Sequence, residues 1–335
     1  MFKYIIKRIF ISIFVLFGVS IIIYSLVRLM PNDYFDTNFA TQISTGAVKQ
    51  SDIDMFKKMY GVADKSFSGI VNGYFKWLGS ALQGDFGNSF KYKRPVNDVI
   101  TENMWISFAI AAVATVLQFL IAIPLGISSA THQYSVRDYT VTVFTMIGIS
   151  LPTYFFAAIV IKVFAVDLGI LPPGGLITAS ANYPATFAGQ MSKFLDILKH
   201  LILPISVSVI LSIGGLMRYT RTNTLEVLNA DYIRTARAKG LSEKKVIYKH
   251  AFRNTLIPLA TLLAGILPSL FGGMMITEQV FGIQGIGLLA YNALKEADVP
   301  FVMGYNMFLA VLTVIGTLLS DIMYSVVDPR VKLGK

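Results

Sequence analysis

Long apolar runs without a charge are the feature that most constrains how this chain can fold. A bilayer core of roughly 30 Å is crossed by about 20 consecutive apolar residues in a helix. Transmembrane β-strands would be shorter and would alternate apolar with polar residues, whereas the runs in this sequence are continuously apolar. We therefore predict an all-α integral membrane protein with six transmembrane helices. The six predicted spans are Ile9–Val27, Met104–Ser129, Tyr139–Ile161, Leu201–Met217 (which is short), Thr255–Thr277 and Phe301–Ser320, the last continuing to about Val327.

The composition fits a membrane protein and excludes other classes. Of the 335 residues, 54% are hydrophobic and 14% are charged, against about 25% charged residues in a typical soluble domain. The chain has no cysteine, which excludes disulfides, thiolate metal sites and cysteine nucleophiles. With three histidines in all, a His-rich metal centre is not expected. The net charge of +10 suggests nucleic acid only if the distribution of the charges agrees.

The basic residues are concentrated on one face of the predicted bundle. With six spans, the N-terminal tail, the turn at Arg137, the segment 218–253 and the C-terminal tail share that face, which has sixteen basic and five acidic residues. Basic loops are enriched on the cytoplasmic side, so we predict that both termini are cytoplasmic. The first run is followed by Arg28 and Pro31 instead of a small-residue cleavage site, which favours a retained anchor helix over a signal peptide. The net charge thus marks orientation, and no nucleic-acid partner is predicted.

The spans divide the chain into three regions. Residues 1–30 form the N-terminal tail and the first helix, 31–103 form a long extracytoplasmic loop or cap, and 104–335 form the core domain. Within the loop, apolar residues of Ile70–Leu82 recur at helical spacing, which predicts an amphipathic helix. The loop is either a cap that receives a partner or substrate, or a structured linker.

The basic segment 218–253 is predicted to contain two short helices on the cytoplasmic side. Asp231 suits the first turn of a helix and Arg237 its last turn, because the helix dipole favours those charges there. Gly240 suits a left-handed C-terminal cap. Ser242 can then cap a second helix, Glu243–Ala251. The segment is either a compact basic docking surface or a charged loop that lies on anionic lipid headgroups.

These residues resemble the cytoplasmic loop of permease subunits in bacterial ABC importers. The general motif of that family is Glu-Ala-Ala, three residues, Gly. Here Arg234 and Thr235 replace the first two residues, and Ala236 and Gly240 match. The run Asp231–Gly240, followed by His250-Ala251-Phe252-Arg253-Asn254, is similar to the version found in peptide permeases.

Further segments along the chain extend the resemblance to the B-type permease of oligopeptide and dipeptide importers, whose nickel-importing relatives share the pattern. Two departures are Asn32 in place of a glycine and Gln284 in place of a proline. The matching segments are Leu29–Asp33, Gly84–Phe90, Arg94–Val96, Leu171–Gly175, Glu278–Gly287 and Asp328–Arg330.

The resemblance implies a set of partners and a mechanism. The chain would pair with a C-type permease subunit in the bacterial cytoplasmic membrane. Two cytoplasmic ATPases would drive the pair, and an extracytoplasmic substrate-binding lipoprotein would deliver peptide. ATP and Mg would lie on the ATPases, since this chain has no Gly-x-x-x-x-Gly-Lys-Ser/Thr phosphate loop and no cofactor of its own is expected. Transport would proceed by alternating access, and the chain would not be an enzyme.

The resemblance also assigns site residues. The helix at Asp231–Lys239 would be the coupling helix that docks on an ATPase, with Ala236 and Gly240 allowing close approach. The expected coupling residues are Asp231, Arg234, Thr235, Ala236, Arg237, Lys239 and Gly240.

Polar residues within the spans are candidates for the pore or gate. Gln118, Ser150, Thr261 and Ser269 either line a polar path or bond to neighbouring helices. Asp321, near the inner end of the sixth span, is a functional candidate by its position, with an ion pair inside the bundle as the favoured alternative. The Gly282–Gly287 run has the reverse of dinucleotide-binding spacing and is interpreted as a flexible outer loop near the pore mouth.

Other functions are less consistent with the sequence. A membrane-embedded enzyme would need clustered catalytic residues, yet no His-Glu-x-x-His or Gly-x-Ser-x-Gly motif occurs. A secondary transporter working alone would carry ionisable residues at mid-membrane or inverted repeats, and the span centres are nearly free of charge. A nickel or metal-chelate importer of the same family stays open as an alternative substrate class.

Overall fold

The computed structural model describes residues 2–30, 33–59 and 63–327, and this part of the chain is built almost entirely of helices. Within this part, Asn88 and Pro95 pair through an isolated antiparallel β-bridge. Two π-helical segments, Lys162–Asp167 and Val246–Ala251, continue α7 and α10. The α-helices are α1 (Phe2–Arg28), α2 (Tyr34–Ser44), α3 (Gln50–Met59), α4 (Phe67–Ala81), α5 (Val96–Thr131), α6 (Val136–Ser150), α7 (Thr153–Ile161), α8 (Phe187–Leu228), α9 (Asp231–Ala238), α10 (Glu243–Lys245), α11 (Phe252–Thr261), α12 (Leu263–Phe271), α13 (Met275–Val280), α14 (Ile286–Lys295) and α15 (Val299–Val327).

Four helices of the described chain are long and apolar enough to cross a membrane, or five if a bent pair counts as one span. The four comprise Ile6–Arg28 within α1, all of α5, all of α8 and Val299–Ile322 within α15. The predicted helices at the first, second and sixth positions therefore form as continuous elements. Two of the six predicted spans are not single continuous helices, and each of the two contains proline.

The third predicted span, Tyr139–Ile161, is broken between α6 and α7. The two halves meet at an angle of 102°. Pro152 stands at the break, and Leu151 before it has the extended conformation φ −82°, ψ 129°. A residue before proline is pushed out of the helical region, because the proline ring clashes with its backbone.

The fifth predicted span, Thr255–Thr277, is also divided. It separates into α11 and α12 at Leu262, whose N–H donates to the carbonyl of Leu259 three residues back. Pro258 and Pro268 lie inside the two short helices, and each removes a backbone donor from the helical ladder. The chain then leaves the helix at Gly273, where φ is +75°.

The fourth helix is much longer than predicted. Helix α8 runs over 42 residues, about 63 Å at 1.5 Å per residue, roughly twice the bilayer core. Residues 218–228, predicted to begin the cytoplasmic loop, are its last turns. The apolar run Leu201–Met217 predicted only the part of α8 that is free of charge. The helix extends beyond that run at both ends.

Close backbone approach joins α8 to α5 and α6. A Cβ on Gly126 would lie 2.8 Å from the carbonyl oxygen of Met217, and one on Gly214 would lie 2.6 Å from that of Thr145. Gly148 meets the Ile210 carbonyl in the same way, at 2.9 Å. Only glycine leaves room for helices at this distance, so these three helices form one closely packed unit.

The segment predicted to form a cap, residues 31–103, contains α2, α3 and α4. Buried Phe35 and Ile53 form a small core of their own. The predicted amphipathic helix is confirmed as α4, whose Tyr74 is buried against Tyr24 of α1. Tyr74 also shares a hydrogen bond of 2.8 Å with Ser20. The cap is therefore anchored to the first span.

Candidate functional site

The short helix predicted in the cytoplasmic segment is confirmed as α9. It begins at Asp231, and Gly240 has φ +74°. The Gly240 N–H donates to the Arg237 carbonyl and the Leu241 N–H to the Ala236 carbonyl, the pair of bonds that ends a helix through a left-handed residue. A Cβ on Gly240 would meet nothing within 4 Å, so the need for glycine comes from the backbone and not from crowding.

A small apolar core holds α9 in place. Ile233 and Ala236, three residues apart on α9, are buried against Val246 and Ala251 of the following π-helical segment. Val227 and Leu228, at the end of α8, pack on the same core. Ala236 is 7% exposed, and its small side chain lets α9 lie close to the π-helical segment. The role in close approach of an ATPase that the resemblance implies for Ala236 stays a prediction.

The remaining predicted coupling residues lie on the opposite, exposed face of α9. Arg237 Nε is 2.8 Å from Glu243 Oε1, and Arg234 is 3.7 Å from Asp231. Exposed pairs of this kind contribute about 0–1 kcal/mol, so a partner can replace them at small cost. Thr235 donates to the Asp231 carbonyl, and Lys239 is exposed as the C-cap.

The second predicted helix, Glu243–Ala251, forms, but most of it is π-helical. Ser242 occupies the N-cap position without a side-chain capping bond. The wider turn from Val246 to Ala251 buries both of those residues, and α11 follows directly at Phe252. The segment is thus continuous with α8 at one end and with α11 at the other.

An ion pair not foreseen from the sequence joins three helices near the cytoplasmic segment. Arg221 of α8 binds Asp138 of α6 in a bidentate manner, with Nε–Oδ1 at 2.9 Å and a second bond of 2.8 Å to Oδ2. Ser129 of α5 also donates to the Asp138 carboxylate, which is 3% exposed. The sequence marked Asp138 only as a charge in a turn, because its partner lies 83 positions away.

A second unforeseen residue, Glu278, is buried in the short helix α13. Its carboxylate accepts from the Ser107 hydroxyl at 2.6 Å, from the Met274 N–H at 3.1 Å and from the Leu288 N–H at 2.7 Å. Glu278 is 1% exposed and nearby Ile283 is fully buried. The expectation of a flexible outer loop is therefore wrong, because this carboxylate binds the backbone on both sides of the segment.

Asp298 fixes the end of the cap segment in a similar way. It accepts from the Ser89 hydroxyl and from the Lys91 N–H at 3.1 Å, and it is fully buried. The Tyr92 hydroxyl donates to the Leu289 carbonyl at 2.9 Å. Burial, with nearby Asp298, raises the pKa of Tyr92. The segment before α5 is thereby attached to α14 and α15.

The predicted pore residues have local partners. Gln118 donates to the Ser212 carbonyl of α8 at 3.0 Å, whereas Ser150 and Ser269 donate to carbonyls of their own helices. Asp321 lies 2.9 Å from Arg8 Nε, the ion pair that was the favoured alternative to a pore role. The side chain of Thr261 lies outside the described residues, as do the motif residues Pro31, Asn32 and Asp328–Arg330.

Comparison with known proteins identifies a family and several relatives that this chain resembles. Residues 122–333 match the family model described as "Binding-protein-dependent transport system inner membrane component". The chain is 38% identical to the oligopeptide transport system permease protein AppB of Bacillus subtilis, over 98% of this chain and 99% of that protein. It is 31% identical to the oligopeptide transport system permease protein OppB of Haemophilus influenzae, over 99% and 100%. A putative peptide permease protein of Brucella ovis is 33% identical over 99% and 100%.

Proposed function

The chain belongs to the family of binding-protein-dependent transport system inner membrane components, and on that premise we propose how it works within a peptide importer. It is a permease subunit of an ABC peptide importer, a transport component that carries out no catalysis itself. The relatives above are named for peptides and not for nickel, so nickel import is not favoured.

Our proposed topology has six passages through the bacterial cytoplasmic membrane, with both termini in the cytoplasm. Helices α6 and α7 would form the third passage as a bent pair, and α11 with α12 would form the fifth as a broken one. Broken helices are tolerated at membrane depth where neighbouring protein satisfies the freed backbone groups. Support comes from the concentration of basic residues on the face that holds α9.

The exposed face of α9 is the proposed dock for one of two cytoplasmic ATPases, which would carry the ATP and Mg. The proposal is supported by the two faces of this eight-residue helix. Ile233 and Ala236 are buried and fix the helix to its own chain, while Arg234 and Arg237 remain exposed. A helix that carried only lipid contacts would not need this rigid attachment. A C-type permease subunit would complete the membrane pair, and a substrate-binding lipoprotein would dock on the outer cap.

Movement of the docked ATPase would reach the membrane through two connections. Helix α9 shares its core with the end of α8, and the π-helical segment leads directly into α11. The Arg221–Asp138 pair would then carry motion of α8 to α6 and α5. Alternating access follows if these helices move together between two arrangements.

The attachment of α9 by its apolar core and its Gly240 cap is the observation that carries this proposal. We expect Gly240→Leu to abolish peptide uptake and binding-protein-stimulated ATP hydrolysis by the assembled importer in proteoliposomes, at normal abundance of the chain. A side chain at φ +74° costs roughly 1–2 kcal/mol, enough to displace the helix end.

The matched control is Gly169→Leu. Gly169 has φ +62° and equally open surroundings, but it lies far from α9 in the sequence, in the segment that follows α7. The control should retain uptake and stimulated hydrolysis. Full activity of the Gly240→Leu importer would refute the coupling role of α9.

A further inference from the structure

Two cavities along one face of α8 form a continuous groove. One cavity of about 690 Å³ is lined by Ser212, Tyr219 and Asn223, and another of about 450 Å³ by Ser208 and Ser212. Ser212 and Leu211 border both. The spacing of four, seven and four residues from Ser208 to Asn223 keeps the lining on one face of a helix. That stretch measures about 22 Å, the length of about six or seven extended peptide residues.

The lining of the groove differs from the rest of α8. A third cavity, of about 410 Å³, is lined on α8 mainly by Ile202, Leu203 and Ile210 and is almost wholly apolar. The groove has apolar side chains too, but it adds serine and threonine hydroxyls and an asparagine amide. Ser208, Ser212 and Asn223 donate hydrogen bonds within α8, and their oxygens can accept further bonds. Such groups can bond to the peptide backbone whatever the peptide's side chains are.

Arg218 supplies a positive charge within this groove. It is exposed, and one of its terminal nitrogens lies 2.9 Å from the sulfur of Met146, which is a weak acceptor. Arg221, three residues further along, is neutralised by Asp138, whereas no described residue forms an ion pair with Arg218. None of the described residues that line the two cavities is acidic.

We propose that this groove is the chain's half of the peptide path, and that Arg218 binds the C-terminal carboxylate of the peptide in transit. The inference rests on the proposed function, since the second permease subunit would close the open side of the groove. A carboxylate is the group that peptides of any sequence share and that a guanidinium binds through paired hydrogen bonds. Arg218 would thus hold many peptides in one orientation without reading their side chains.

The test compares uptake of two peptides that differ only in a C-terminal carboxylate or carboxamide. It uses the assembled importer in proteoliposomes and the variants Arg218→Gln and Arg218→Lys. Any preference of the binding protein for one of the two peptides is the same with every variant. It therefore cancels when the ratio of the two uptake rates is compared between variants. We expect Arg218→Gln to lower carboxylate-peptide uptake about tenfold or more and to leave carboxamide uptake nearly unchanged, while Arg218→Lys retains most of the preference.

The control variant is Arg137→Gln, which removes an exposed charge from the first turn of α6 without touching the groove. Its uptake ratio should equal that of the unaltered importer. An equal loss for both peptides in Arg218→Gln, or no loss for either, would overturn the proposal. An effect that depends on the anionic lipid content of the vesicles and not on the peptide terminus would assign Arg218 to lipid headgroups instead. Absence of ATP-driven uptake in the unaltered importer would refute the proposed function itself.

A second measurement does not depend on charge. Because the chain has no cysteine, single cysteines can report contact with a maleimide-bearing peptide during ATP turnover. Thr222→Cys, in the groove, should be labelled on this chain, and Ile202→Cys, in the apolar cavity of the same helix, should not. Equal labelling of the two positions would refute the groove as the path.

Discussion

Two groups of carboxylates in this molecule have opposite roles. Glu278 and Asp298 are buried and receive hydrogen bonds from hydroxyls and backbone N–H groups. Asp231 and Glu243, in the segment around α9, are exposed and pair with arginines of the same short segment. The buried carboxylates hold distant parts of the chain together, whereas the exposed ones can release their arginines to a partner.

The difference follows from the energies of the two arrangements. A hydrogen bond to a charged group contributes about 1.5–3 kcal/mol when buried, and an exposed ion pair contributes about 0–1 kcal/mol. A region held together by buried carboxylates can therefore coexist with a segment whose contacts exchange readily. The comparison can be tested one carboxylate or arginine at a time.

Glu278→Leu should have the largest effect on stability. The substitution leaves the Ser107 hydroxyl and the Met274 and Leu288 N–H groups buried without an acceptor, which costs about 3 kcal/mol or more. Denaturant unfolding of the purified chain in detergent micelles measures the loss. Glu102→Leu, which removes an exposed glutamate paired with Arg94, should cost less than about 1 kcal/mol. Equal losses would mean that the buried carboxylate is not structural.

The Arg221–Asp138 pair tests whether a buried carboxylate near the C-terminal end of α8 also forms a structural ion pair. Asp138→Leu leaves the Arg221 guanidinium partly buried without its partner, and we expect a loss of about 2–4 kcal/mol. The double variant Asp138→Leu with Arg221→Met should recover much of that loss, because no charge is then left unpaired. Additive losses in the same unfolding assay would show that the two side chains do not interact.

Arg237→Ala should have the smallest effect on stability and a clear effect on coupling. Its exposed pair with Glu243 contributes less than about 1 kcal/mol, so unfolding should hardly change. Binding-protein-stimulated ATP hydrolysis by the assembled importer should fall several-fold if Arg237 contacts the ATPase. Arg94→Ala, which breaks a comparable exposed pair near the cap, is the control. If both variants keep full stimulation, Arg237 does not contribute to docking.

Local patterns were sufficient to predict much of the architecture. Continuous apolar runs predicted α1, α5 and α15, and helical spacing predicted α4. The charges and glycine around Asp231–Gly240 predicted α9 and its left-handed end. In each case the signal lies within a few residues of the element it describes, because backbone conformation and membrane partitioning depend on near neighbours.

Only the tertiary structure decided which charges are buried, paired or free. Arg218 and Arg221 look alike in the sequence, yet only Arg221 meets Asp138, across 83 positions. Glu278 accepts a hydrogen bond from Ser107, 171 positions away, and the segment that was predicted to be a flexible loop is held by this buried carboxylate. The apolar run Tyr139–Ile161 predicted a single helix, whereas α6 and α7 meet at 102° in the structure. Side-chain partners depend on how the helices pack together. The local sequence pattern around a residue does not show which distant residue it will contact.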